Sequence, residues 1–219
     1  FESKKEQPLM FNENQQYIHY NKGSLVLYAL SDFIGEKNMN NALKGYINKV
    51  AYQDAPYTNS IELVNELKKA TPDSLQYVIN DMFETITLYD NRVNNATSKK
   101  LPNGKYEVTI EFNVSKYKAD DSGKRTFKDD KGKMLTYKKK GDKYPTESYP
   151  LNDYVEVGIF AEQTIKGEKV EQELYLKKQK ISSINNKLIL IVNKKQTEVG
   201  VDPYNKLIDT DSNDNRRKL

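Results

Sequence analysis

The feature that most constrains this chain is a change of apolar period near residue 84. Before it, apolar residues recur every three or four positions, the repeat that gathers side chains on one helix face. After it the spacing drops to two, which places alternate side chains on one face of a strand. A chain that carries the two periods in succession predicts an α+β fold with helices and antiparallel strands segregated along the sequence.

Four helices are expected in the first part. Leu27, Leu30 and Ile34 share a face with Val26 and Phe33, and Gly35 stands where a C-terminal cap belongs. Met39, Leu43, Tyr46, Ile47 and Val50 mark a second helix. Pro56-Tyr57-Thr58-Asn59 interrupts the pattern and offers a cap for a third, with Ile61, Val64 and Leu67 inward and Leu63 alongside. Thr71-Pro72-Asp73 reads as a helix start: Thr as N-cap, Pro at the first helical position, an acid near the positive end of the dipole. Leu75, Val78, Ile79, Met82 and Phe83 form the stripe that follows.

Ile86 and Leu88 open a strand to about Val93, and Leu101–Lys105 reads as a turn. Tyr106, Val108, Ile110, Phe112 and Val114 then alternate with Glu107, Thr109, Glu111 and Asn113, the clearest strand in the chain. A lysine-rich run at 116–150, with Asp120-Asp121 and Asp129-Asp130, reads as a solvated loop or hairpin. Strands resume at Tyr154–Phe160, Glu173–Ile181 and Lys187–Val192, and Thr197–Val201 leads into a polar C-terminal tail. The expected organisation is a bundle of about four helices over 1–84 and an antiparallel β-sandwich-like domain over 85–219.

Composition excludes several functions. Charged residues make up 30% of the chain and apolar ones 37%, and no apolar run approaches the ~20 residues of a membrane-spanning helix. With no cysteine and one histidine, this chain alone lacks the two or more His or Cys ligands that a zinc site draws on. His19 has no evident nucleophile partner and reads as a surface or half-buried residue. The acidic pairs dilute the lysine-rich run, and no recognition motif accompanies it, so nucleic acid is not an expected partner. Tyr106, Tyr117, Tyr137, Tyr144, Tyr149 and Tyr154 read as rings covering sheet edges. Asp153 and Glu156 read as the solvated face of a strand. The start at Phe1, without Met, reads as an excised segment.

One motif carries a chemical reading. Tyr20-Asn21-Lys22-Gly23 stands directly before the apolar pattern Leu25–Leu30. A Tyr-x-Lys-Gly step ahead of an amphipathic helix resembles the segment bearing the catalytic tyrosine of the aminopeptidase N family, zinc peptidases of the gluzincin group. The family pattern is Tyr-Glu-Lys-Gly, and Asn21 stands in place of its Glu. Asp81-Met-Phe-Glu-Thr-Ile-Thr-Leu-Tyr89 and Asp202-Pro-Tyr-Asn-Lys-Leu-Ile-Asp209 also resemble segments of large bacterial members, in which a permease-like membrane region precedes the peptidase-like part.

The resemblance implies that residues 1–84 are the helical end of a catalytic domain, with the β-domain following. It implies that the Tyr20 hydroxyl donates a hydrogen bond to the oxyanion of the transition state, and Tyr17, three residues earlier, would line the same substrate cleft. The family's His-Glu-x-x-His and Gly-x-Met-Glu-Asn segments are absent. Zinc is therefore expected in the full-length parent and not in this chain, whose partners would be an upstream zinc-binding domain and a peptide substrate. Its expected setting is a soluble domain of a membrane-anchored bacterial protein, associated with the membrane only through that parent. The alternative is a non-catalytic peptide- or protein-interaction module.

Overall fold

A computed structural model describes residues 5–128, 134–136 and 150–219. Asp129-Asp130, Tyr137, Tyr144, Tyr149 and most of the second half of the lysine-rich run lie outside the described residues. Helices come first and antiparallel sheets follow, an α+β architecture. The chain forms two compact units. One runs to Thr87 and takes in Lys118–Thr126; the other holds Leu88–Tyr117 and the chain from residue 150 onward.

In the first unit, a π-helical stretch, Tyr17–Lys22, continues directly into α1 (Gly23–Ile34), which buries Val26, Ala29, Leu30 and Ile34. Gly35, at φ 86°, ends α1 and admits α2 (Glu36–Val50) without a break. Packed chiefly on α1 and α3, α2 buries Met39 and Ala42, and Ile47 is exposed rather than inward. α3 (Ser60–Ala70) starts on the Asn59 side chain, which accepts the Glu62 N–H, and buries Val64 and Leu67 while Ile61 faces out. Thr71 does not cap the next helix. Its hydroxyl donates to the Leu67 carbonyl at 2.8 Å and closes α3, and the chain restarts as a 3-10 turn at Asp73–Leu75. α4 (Gln76–Ile79) then opens into a second π-helical stretch, Asn80–Glu84.

The strands in chain order are β1 (Thr87–Lys100), β2 (Tyr106–Ala119), β3 (Arg125–Lys128), β4 (Met134–Thr136), β5 (Asp153–Ile165), β6 (Glu168–Ile181), β7 (Asn185–Val192), β8 (Glu198–Val201) and β9 (Arg216–Lys218). One sheet has the order β1-β2-β3-β4 with β7 also on β2, and the other the order β6-β5-β8-β9. The β2–β7 register, Tyr106↔Val192 to Asn113↔Asn185, buries Val108, Ile110, Phe112 and Val114 and leaves Ile189 and Ile191 on the open face. Unlike β2, β5 has little alternation, because both its faces are covered. Val155, Val157 and Ile159 point into the core, whereas Glu156 and Gly158 lie under other chain segments. The Phe160 ring lies where a Cβ at Gly158 would stand, 2.4 Å away, which is why the sequence has glycine there.

Three sequence expectations change. β1 extends seven residues past Val93, through Asn94–Lys100, whose side chains are solvated and so show no apolar alternation. The C-terminal tail is not a free polar segment: Arg216–Lys218 pairs antiparallel with β8 as an edge strand. The lysine-rich run is not loop from its start, because Lys116–Ala119 finish β2 and a tight turn at Asp120–Gly123 leads into β3. Asp120 closes that turn by accepting the N–H groups of Ser122 and Lys124.

Asp153 and Glu156 are the largest correction, for neither is solvated. Asp153 is 3% exposed and bound by the Lys116 ammonium at 2.7 Å and the Tyr89 hydroxyl at 2.9 Å. Glu156, 8% exposed, is bound by Lys206 at 2.9 Å. A polar residue within a strand looks solvated when its partner lies 37 or 50 positions away. Removing one member of such a pair leaves a buried charge uncompensated. Lys116→Met is expected to cost about 3–5 kcal/mol in urea denaturation. Adding Asp153→Leu and Tyr89→Phe should recover most of that loss. A single-variant cost below ~1 kcal/mol would show the pair to be solvated.

Candidate functional site

The residues of the Tyr20 motif divide between structure and surface. Lys22 is buried and binds the Glu6 carboxylate at 3.1 Å, an ion pair that ties the N-terminal segment to the helix. Gly23 is buried at the start of α1, and its N–H reaches back five residues to the Ile18 carbonyl. The hydroxyl of Ser24 donates to the Asn21 carbonyl at 3.0 Å. Tyr20 is left facing out, 64% exposed, with no hydrogen-bond partner for its hydroxyl among the described residues. The His19 ring lies 4.6 Å from the Tyr20 ring, tilted by 48°, with Nδ1 3.4 Å from the Asn12 side-chain oxygen.

Tyr20 and His19 stand at a groove of about 400 Å³ inside the first unit. Leu9 and Met10 form one side, Leu27 of α1 and Leu63 and Val64 of α3 another, and Phe83 closes it. No Asp, Glu, Lys or Arg is among the lining residues. Its polar atoms are mostly spoken for: the Ser60 hydroxyl donates to the Met10 carbonyl at 2.5 Å, and Ser24 is bonded as above. The groove is an apolar slot with one unengaged hydroxyl at its mouth, the composition expected of a small binding site.

Both π-helical stretches of the chain contribute to this groove, Tyr17–Lys22 through His19 and Tyr20, and Asn80–Glu84 through Phe83. A π turn widens the helix by one residue and weakens its hydrogen bonding, and such turns concentrate at functional sites. Tyr17 is brought to the same stretch but is not among the groove's lining residues. Sequence reasoning missed Leu9, Met10, Leu63 and Phe83 as site residues. The first two sit in a 3-10 turn with no period to betray them, and Phe83 reads as ordinary core.

Among the described residues no group of three or more His, Cys, Asp or Glu is placed to hold a metal. The zinc that the resemblance implies would need ligands from outside them. No helix among the described residues is long and apolar enough to cross a membrane.

The second unit buries several ionisable groups, Lys116, Asp153, Glu156, Asp202 and Lys206 among them. Asp202, at φ 43°, accepts the backbone N–H groups of Lys206 at 3.0 Å and Leu207 at 2.9 Å and so shapes the segment over β5. Burial pushes its carboxyl up to about 7, against the two backbone donors, with Asp209 and Glu156 adding to the rise. This arrangement is structural, and its consequence is a pH dependence of stability.

Comparison with known protein families finds none that matches this sequence, and no curated protein matches it.

For Asp202 the folded state holds the proton more tightly than the unfolded chain. Its contribution to stability is therefore full below about pH 4 and is lost as pH rises through about 7. Asp202→Asn carries no such titration. In urea denaturation its stability deficit relative to the parent should shrink from pH 4 to pH 8. A deficit constant across that range would assign Asp202 an ordinary acidity.

Proposed function

We propose that this chain is the C-terminal part of a zinc peptidase related to aminopeptidase N, supplying Tyr20 to a site whose metal lies in an upstream domain. The supporting observation is the free hydroxyl of Tyr20 at the mouth of a neutral, apolar groove, held there by a π-helical turn. Attack on a peptide carbonyl puts negative charge on its oxygen. A hydroxyl with no protein partner to give up can donate to that oxygen once substrate displaces water from it, and the interaction is strongest in the transition state. The surrounding motif residues support the role by position. Lys22 and Gly23 fix the turn, and the Asn21 backbone oxygen accepts from the Ser24 hydroxyl.

One observation favours a second reading, a non-catalytic module that binds an apolar peptide segment. The groove wall carries no Asp, Glu, Lys or Arg side chain and is mostly aliphatic and aromatic, a lining suited to holding an apolar side chain.

The two readings separate in the protein that includes the upstream domain. Tyr20→Phe should lower kcat for an aminoacyl substrate by ~10²-fold or more with KM little changed, the pattern of an interaction made only in the transition state. Unchanged turnover would remove Tyr20 from the mechanism. Absence of turnover in the parent, with peptide binding retained by both proteins, would establish the module.

A further inference from the structure

The second unit gathers unpaired lysines at one end. Lys99, Lys100 and Lys105 flank the β1–β2 turn, and Lys194 and Lys195 follow β7. They lie far apart in sequence, and the pairing Tyr106↔Val192 sets the two turns side by side. All five are exposed, and none has an ion-pair partner among the described residues. The Lys194 ammonium donates at 2.8 Å to Gln172 of β6, which places the tip of the β5–β6 hairpin at this same end.

The acids near that tip are largely neutralised. Glu162 binds Lys169 at 2.8 Å, and Arg216 binds both Glu171 and Glu198. Exposed Glu168 and half-buried Glu107 also lie toward this end, beside five lysines with no ion-pair partner among the described residues.

Apolar side chains project among these charges. Ile165 and Val170 stand exposed near the hairpin tip, and Ile191 is 60% exposed on the open face of β7. Exposed isoleucine and valine interspersed with lysine suit an interface that offers negative charge above a hydrocarbon layer. Nucleic acid would call instead for aromatic stacking platforms, and among the described residues no exposed aromatic side chain accompanies the five lysines.

We propose that this end of the second unit is a docking surface for an anionic lipid bilayer. Lys99, Lys100, Lys105, Lys194 and Lys195 meet the headgroups, and Ile165, Val170 and Ile191 reach the acyl boundary. Five basic residues fall in the range that binds anionic leaflets reversibly. This surface is independent of the Tyr20 groove and stands whether or not the chain belongs to a peptidase.

The test is sedimentation of the 219-residue chain with vesicles of phosphatidylcholine alone or with added phosphatidylserine. Binding should require phosphatidylserine and weaken with salt. Lys99→Gln, Lys105→Gln and Lys195→Gln together should reduce it roughly tenfold or more. The equal charge change Lys37→Gln, Lys44→Gln and Lys124→Gln, in the first unit, should change it little. Ile191→Ser should weaken binding without changing its salt dependence. Equal loss in the two lysine triples, equal binding to both vesicle types, no binding, or tighter binding to single-stranded DNA than to vesicles at the same salt would each overturn the proposal. Circular dichroism of every variant separates lost docking from lost fold.

Discussion

The second unit depends on a charge pair that spans its two sheets. Lys116 comes from β2 and Asp153 from β5, and Tyr89 of β1 completes the cluster. A desolvated ammonium and carboxylate tolerate few arrangements, since any slip that parts them leaves each unpaired in a medium of low dielectric. A one-residue shift of β2 would turn Lys116 to the opposite face and carry Val108, Ile110 and Phe112 with it. The pair therefore adds to the apolar alternation, because a two-residue slip would keep those side chains on the core face but part Lys116 from Asp153. Glu156 and Lys206 repeat the device on the other face of β5, tying down the segment that Asp202 shapes.

The first unit is held differently. Its core is largely aliphatic, built from Leu30, Leu67, Val78 and Ile79, and two ion pairs with a buried member fasten segments around it. Lys22 holds the N-terminal segment through Glu6, and Lys118 binds Asp81 at 3.0 Å beside Asn80 and Thr85, fastening the end of the last helix. The groove lies where two π turns meet apolar helix faces. A π turn is less well bonded than an α turn, so each persists because its surroundings hold it: Lys22 is fixed by Glu6, and Asn80–Glu84 by Lys118 and Lys68. That cost falls at an apolar slot lined by Tyr20, whose hydroxyl has no partner among the described residues.

Legibility in the sequence followed solvent contrast. β2 was plain because one face is buried and the other wet, and the helices were plain for the same reason. β5 was only partly legible, because covering both faces removes alternation, and Asp153 and Glu156 were misread as solvated. At the candidate site, Tyr20 could be singled out by the motif around it. Leu9, Met10 and Leu63 could not, since nothing in a local apolar residue distinguishes a groove wall from a core.

By itself the sequence determined the order of the main helices and strands, a cap within residues 56–59, the Gly35 break and the candidacy of Tyr20, because these rest on period, propensity and local motif. Tertiary structure alone decided which charges are buried, that the C-terminal residues form an edge strand, that Tyr20 faces an apolar groove, and that lysines about ninety positions apart share one surface. Those facts depend on contacts between distant positions, and a local pattern carries no record of its partner.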